Sequence, residues 1–144
     1  MEKGQWEKRA EEIVNSYLNR KDGYFDDRMA AAFWACDYER QCVEIRFTTQ
    51  EWQINERGGI HGGAIAGMFD TALGVVANFV AGPNEAATAD MQLSFIRPVE
   101  YGEHTIAKIF IVKAGRTIIR LRGELYCEES GKLTATAVGS FIPL

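Results

Sequence analysis

The sequence predicts an α+β domain in which an antiparallel β-sheet wraps around one long central helix. Residues 61 to 80 are apolar on nearly every side, as expected of a helix buried along most of its surface. The segments flanking it alternate at period two and are joined by short turns, which makes neighbouring strands antiparallel. The order is helix, two strands, long helix, four strands, so that one apolar helix is left to fill the concave side of the sheet.

In the N-terminal helix, expected over residues 1 to 22, Trp6, Ala10, Ile13 and Tyr17 recur at helical spacing with Val14 and Leu18 alongside. Lys3, Glu7, Lys8, Glu11 and Glu12 fill the wet face, so the apolar side reads as a packing face, and Asp22-Gly23 ends the helix. Strands over 31 to 38 and 42 to 48 follow around a turn at Glu39-Arg40-Gln41. The second sets Val43, Ile45 and Phe47 against Glu44, Arg46 and Thr48. Beyond the central helix, Gly82-Pro83-Asn84 is a turn. Ala89, Met91, Leu93 and Phe95 then share one face of a strand, and Ile106, Phe110 and Val112 mark the next. Ala114-Gly115-Arg116 reads as a hairpin tip with Gly115 at positive φ. Residues 117 to 127 place Ile119, Leu121 and Leu125 inward, and Glu128-Glu129-Ser130-Gly131 turns into a last strand, Leu133 to Phe141. With no linker or internal repeat, residues 1 to 144 read as a single domain whose sheet-and-helix core spans 31 to 144.

A chain of 144 residues with 47% hydrophobic content is long enough for one core. A net charge of −4 with no extended basic run argues against nucleic acid or an anionic membrane surface as the main partner. The N-terminal residues lack the apolar run of a secretory signal, and no stretch approaches eighteen uninterrupted apolar residues; the expectation is a cytoplasmic protein. Cys36, Cys42 and Cys127, with His61 and His104, have no metal-ligand spacing, and the cysteines read as small core residues rather than a disulfide framework.

Chemistry points to residues 55 to 72. Within 61 to 80 the only ionisable side chains are His61 and Asp70, and Asp70 has Ala66, Gly67, Leu73 and Gly74 three and four positions away. A lone carboxylate on a small-residue helix face is either hydrogen-bonded for structural reasons or functional. At the start of the same helix, backbone N–H groups without intrahelical acceptors suit a developing oxyanion, and glycines at 62 and 63 let a ligand approach the backbone. Gly63 and Asp70 share a face but lie roughly 10 Å apart along the axis. One substrate carbon reached by both functions therefore needs a second copy of the chain, packed across a two-fold axis.

Asn55, His61-Gly62-Gly63, Asp70-Thr71-Ala72, the run from Ala87 to Pro98 containing Ser94-Phe95-Ile96-Arg97-Pro98, and Lys113-Ala114-Gly115-Arg116-Thr117 together resemble the hotdog-fold acyl-CoA thioesterases of the phenylacetate-degradation (PaaI-like) type. The resemblance spans roughly residues 35 to 142. It implies a sheet "bun" around a helical "sausage", joined into a homodimer and usually into a dimer of dimers. It also implies Asp70 as nucleophile or general base, the Gly62 N–H as oxyanion donor, Asn55 orienting water or the carbonyl, and Thr88 positioning water. Asp70 and Thr88 would come from one protomer, and Asn55 and Gly62 from the other. Coenzyme A enters only as part of the substrate, with no separate cofactor. Gly63 would touch the substrate, and Arg97, Lys113 and Arg116 are candidates for its phosphates, set against a plain solvated surface. His61 is read as fixing the turn ahead of any proton transfer, and Asn55 equally as an Asx-turn former. Alternatives kept open are a non-catalytic acyl-CoA-binding hotdog protein and a hotdog acyl-thioester dehydratase or hydratase.

Overall fold

The computed structural model describes all 144 residues. Helix α1 (Lys3–Leu18) is followed by a single helical turn, α2 (Phe25–Arg28), and by strands β1 (Ala31–Asp37) and β2 (Cys42–Thr48). A 3-10 turn (Glu51–Gln53) leads to the central helix α3 (Gly62–Ala81) and then to β3 (Ala86–Phe95), β4 (His104–Ala114), β5 (Ile119–Cys127) and β6 (Leu133–Pro143). All strand pairs are antiparallel, in the order β1-β2-β4-β5-β6-β3. The sheet curls around α3, the hotdog arrangement that the resemblance implies. By length and hydropathy alone α3 could cross a membrane, but 67% of its most apolar window is buried inside the sheet, so it is the core of this fold.

Val43, Ile45 and Phe47 of β2, Ala107 and Ile109 of β4, Leu121 and Leu125 of β5 and Ala135, Ala137 and Phe141 of β6 pack with Met68, Phe69, Ala72, Leu73 and Val76 of α3. Trp6, Ala10, Val14 and Leu18 bury the apolar side of α1 against α3 and β1, with Trp6 edge-on to Tyr38 and Phe79 at 5.6 and 5.3 Å. Helix α1 thus covers one end of the sheet. At the other end β3 is an uncovered edge strand with most of its residues exposed.

Several sequence expectations shift. Helix α1 stops at Leu18 rather than at Asp22-Gly23; Asp22 and Asp27 instead cap the turn into α2 by accepting the N–H groups of Tyr24 and Gly23. On β4, whose inward face the sequence left open, Thr105, Ala107 and Ile109 point inward, while Ile106 and Phe110 lie on the outer face of the sheet yet are buried. There Arg40 and Arg122 cover the Phe110 ring at 5.4 and 4.0 Å from its centroid. Gly115 does not have positive φ. It donates its N–H to the Ile118 carbonyl, and a Cβ at 115 would run into that same oxygen, so close approach rather than handedness selects the glycine. All three cysteines are free, and Cys36 pairs with Val43 rather than with Cys42. Burial pushes the Cys42 thiol up to about 12.

The start of β4 is tied to the β5–β6 turn by side chains. His104 donates its backbone N–H to Glu129 at 2.9 Å and its ring Nδ1 lies 2.7 Å from the same carboxylate, which holds Glu129 at about 2. Arg46 closes the network on Glu128 at 2.8 Å.

Candidate active site

The loop before α3 is shaped by Asn55. Its Oδ1 accepts the backbone N–H groups of Arg57 at 2.9 Å and Gly59 at 3.2 Å, an Asx turn, while its Nδ2 donates to nothing in the chain. The His61 N–H then donates to the carbonyl of buried Gln53, which fixes where the helix begins. His61 is the N-cap residue of α3: its Nδ1 accepts the Gly63 N–H at 2.8 Å, so that nitrogen is the unprotonated one. The Ala64 and Ile65 N–H groups both donate to the His61 carbonyl.

By elimination the Gly62 N–H is the one donor of this helix start without an acceptor in the chain. It is also approachable, since a Cβ at Gly62 would meet only the Phe95 ring at 3.6 Å. Gly63 cannot offer the same service, because its N–H is already bound to the His61 ring. An open cleft of about 540 Å³ lies against this helix start, lined by Asn55, Arg57, Gly62, Phe95, Ile96 and Arg97 among others. Arg57 and Phe95 were not among the site residues expected from the sequence, although Phe95 belongs to the Ser94-to-Pro98 motif and Arg57 lies two residues from Asn55.

Asp70 is not in that cleft. It is exposed on α3, and its Oδ1 accepts the Thr88 hydroxyl at 2.8 Å. A β-bulge brings the two together. Thr88 pairs with Phe141 and Asp90 with the adjacent Ser140, which leaves Ala89 as the extra residue of β3. Without the bulge Thr88 would face away from Met91 and Leu93. With it, Thr88 shares their inward face, and Ala89 drops out of the face on which the sequence pattern had placed it.

Arg97 borders the cleft and donates through Nη1 to the Leu133 carbonyl at 2.9 Å. Lys113 and Arg116 are exposed at the β4–β5 hairpin, outside the cleft. Register connects that hairpin to the other end of β3: Ala114 pairs with Ile119, Ile119 with Phe141, and Phe141 with Thr88. The predicted residues therefore form two half-sets. Asn55, Gly62 and Arg97 surround the start of α3 with the Phe95 end of β3; Asp70, Thr88 and the basic hairpin belong to its Thr88 end, about 20 Å away along the strand.

A family model described as the thioesterase superfamily matches residues 57–134. A candidate esterase of Deinococcus radiodurans is 30% identical over 104 residues, covering 72% of this chain and 69% of that protein. Among solved structures, the PaaI protein of the Escherichia coli phenylacetic acid degradation operon superposes with a TM-score of 0.83 at 16% identity, covering 96% of each chain. A hypothetical thioesterase of Streptococcus pneumoniae, solved with coenzyme A, does so with a TM-score of 0.70 at 16% identity over 79% of this chain and 85% of that one.

Proposed function

The chain belongs to the thioesterase superfamily and is a thioester hydrolase, and we propose that its substrates are aryl- or medium-chain acyl-CoA thioesters, cleaved to free acid and coenzyme A in sites shared by two protomers. The observation that carries this reading is the separation of two complementary half-sites: a free Gly62 N–H in a cleft without a carboxylate, and an exposed Asp70–Thr88 pair outside it. Antiparallel pairing of two β3 edges across a two-fold axis sets the Thr88 end of one strand beside the Phe95 end of the other. Each Asp70 then faces the partner's Gly62 and Asn55. Such a homodimer gives the uncovered edge of β3 a partner, and two dimers complete a tetramer of the kind the resemblance implies.

In this arrangement the thioester carbonyl oxygen accepts the Gly62 N–H, a donor type whose loss costs about 3 to 4 kcal/mol of transition-state stabilisation in comparable hydrolases. The Asn55 Nδ2 is placed to orient the carbonyl or the attacking water, because its oxygen is already committed to the loop. Asp70 either attacks the carbonyl carbon or takes a proton from water, and the Thr88 hydroxyl fixes the position of the carboxylate by donating to it. His61 holds the helix start in position. Coenzyme A, which the Streptococcus pneumoniae structure contains, would lie along the cleft mouth with its phosphates near Arg97 of one protomer and Lys113 and Arg116 of the other. The reaction takes place in the cytoplasm and uses no separate cofactor.

Thiol release from a panel of acetyl-, hexanoyl-, lauroyl-, phenylacetyl- and benzoyl-CoA tests the reading. Turnover of the aryl or medium-chain members is expected. Binding of the whole panel without thiol release would instead make the chain a non-catalytic acyl-CoA-binding protein.

A further inference from the structure

The short turn α2 packs directly on the face of α3 that carries Asp70. Asp26 accepts the hydroxyl of the buried Thr71 at 2.7 Å, and Met29, at the end of the turn, is fully buried, so the position of α2 is fixed from both sides. Between these anchors the Phe25 ring lies on Gly67, so closely that its Cζ would be 2.7 Å from a Cβ at that position, with the Met29 methyl at 3.5 Å. Gly67 and Asp70 are three residues apart on the helix, hence neighbours on its surface. Asp70 thus has Thr88 on its sheet side and Phe25 on the side of α2. Although anchored, Phe25 remains 55% exposed and Tyr24 beside it 75% exposed, an unusual amount of aromatic surface next to the Asp70 carboxylate.

We propose that Phe25 is the specificity-determining residue of the thioesterase site: its ring is the apolar wall against which the acyl group packs, and it sets the greatest acyl length the site accepts. The inference rests on the acyl-CoA reading above. The leaving thiol must point along the cleft toward Arg97, so the acyl group, on the other side of the carbonyl carbon, is directed past Asp70 toward Gly67. Glycine at 67 lets the ring lie flush on the helix backbone, and the gap beyond Asp70 ends at the ring instead of continuing along α3. A flat aryl group or a short chain stacks on Phe25, whereas a long straight chain meets it end-on.

The test compares wild type with Phe25→Ala, Phe25→Leu and Phe25→Trp in the assembled protein. Two readouts are used: kcat/KM across acyl chains from acetyl to palmitoyl plus phenylacetyl, and affinities for the matching non-hydrolysable S-alkyl-CoA thioethers. Phe25→Ala is expected to raise kcat/KM and affinity for the longest chains by at least about tenfold relative to acetyl, and to lower them for phenylacetyl. Phe25→Trp should shorten the preferred chain, and the milder Phe25→Leu carries the comparison if the alanine variant fails to fold. The same chain-length profile in wild type and in folded Phe25 variants would overturn the proposal. Because thioether binding needs no hydrolysis, a wild type that binds but does not turn over would contradict the catalytic reading while the Phe25 profile still decides this one. A wild type that binds no S-alkyl-CoA would overturn both.

Discussion

Thr88 reaches Asp70, with 2.8 Å between its hydroxyl and the carboxylate, only because Ala89 is bulged out of the β3 register. Bulges at strand edges re-aim side chains, and here one turns a threonine from the outer face of the sheet onto the helix that carries the Asp70 carboxylate. Deleting Ala89 removes the extra residue and leaves Thr88 opposite Phe141 in regular pairing, still on the inward face with Met91. The deletion variant is therefore expected to stay folded with turnover close to wild type, while Thr88→Ala loses about tenfold or more. A deletion variant that loses as much turnover as Thr88→Ala would show that register alone does not account for the Thr88–Asp70 contact.

Asp70→Asn keeps the shape of the side chain and its hydrogen bond to Thr88 but can neither attack a carbonyl carbon nor accept a proton. A folded oligomer with kcat on acyl-CoA reduced by at least about a hundredfold is expected, measured as thiol release. Because Asp70 is exposed in the single chain, the substitution should leave the melting temperature within a few degrees of wild type.

Much of this site was legible in the sequence, for identifiable reasons. A lone carboxylate in an apolar helix and a pair of glycines at its start are conspicuous in composition, and helix rise alone showed that the two could not meet within one chain. The alternation of β2 survived because its two faces differ in polarity. The pattern left the inward face of β4 undecided, because outward Phe110 is kept dry by Arg40 and Arg122 and outward Ile106 is buried as well, so both faces look apolar. The bulge at Ala89 was invisible, since one inserted alanine leaves no compositional trace. Helix α2, one turn long, is too short for any periodicity. That Gly63 is occupied and Gly62 free depends on the direction of the His61 ring, which tertiary structure decides.

Gly115 offers a test of close approach against handedness. Since its φ is negative and a Cβ would collide with the Ile118 carbonyl oxygen, Gly115→Ala and Gly115→Asn should destabilise by similar amounts, about 1 to 3 kcal/mol in denaturant unfolding. Were a left-handed conformation the constraint, asparagine would be clearly the milder replacement. Equal midpoints for wild type and Gly115→Ala would show that the hairpin relaxes around the added methyl group.

The Glu129–His104 pair gives the molecule an acid-side dependence. In the folded state Glu129 is held at about 2, below the roughly 4.3 of a free glutamate. A lowered carboxylate stabilises the fold above its unfolded value, and that contribution fades as pH falls from about 4.3 through about 2. Because the side chain is 46% exposed, solvent screening limits the effect to about 1 kcal/mol at most. Glu129→Gln should therefore melt below wild type at pH 6 and approach it near pH 2. A gap that stays constant across this range would mean that the pair contributes nothing through ionisation.

The shared site can be tested without any structure of the assembly. Asp70→Asn and Asn55→Ala, each expected to be nearly inactive, are unfolded together in equal amounts, refolded, and assayed for thioesterase activity, with subunit exchange verified by differently tagged chains. If a site takes Asp70 from one protomer and Asn55 from its partner, a mixed dimer holds one doubly defective site and one intact site. Random pairing makes half of the dimers mixed, so about a quarter of all sites should regain wild-type chemistry. A site built within one chain could regain nothing, because every chain carries one defect. Activity no higher than the mean of the two parents, with exchange demonstrated, would refute the two-chain site and with it the placement of Asn55 opposite Asp70.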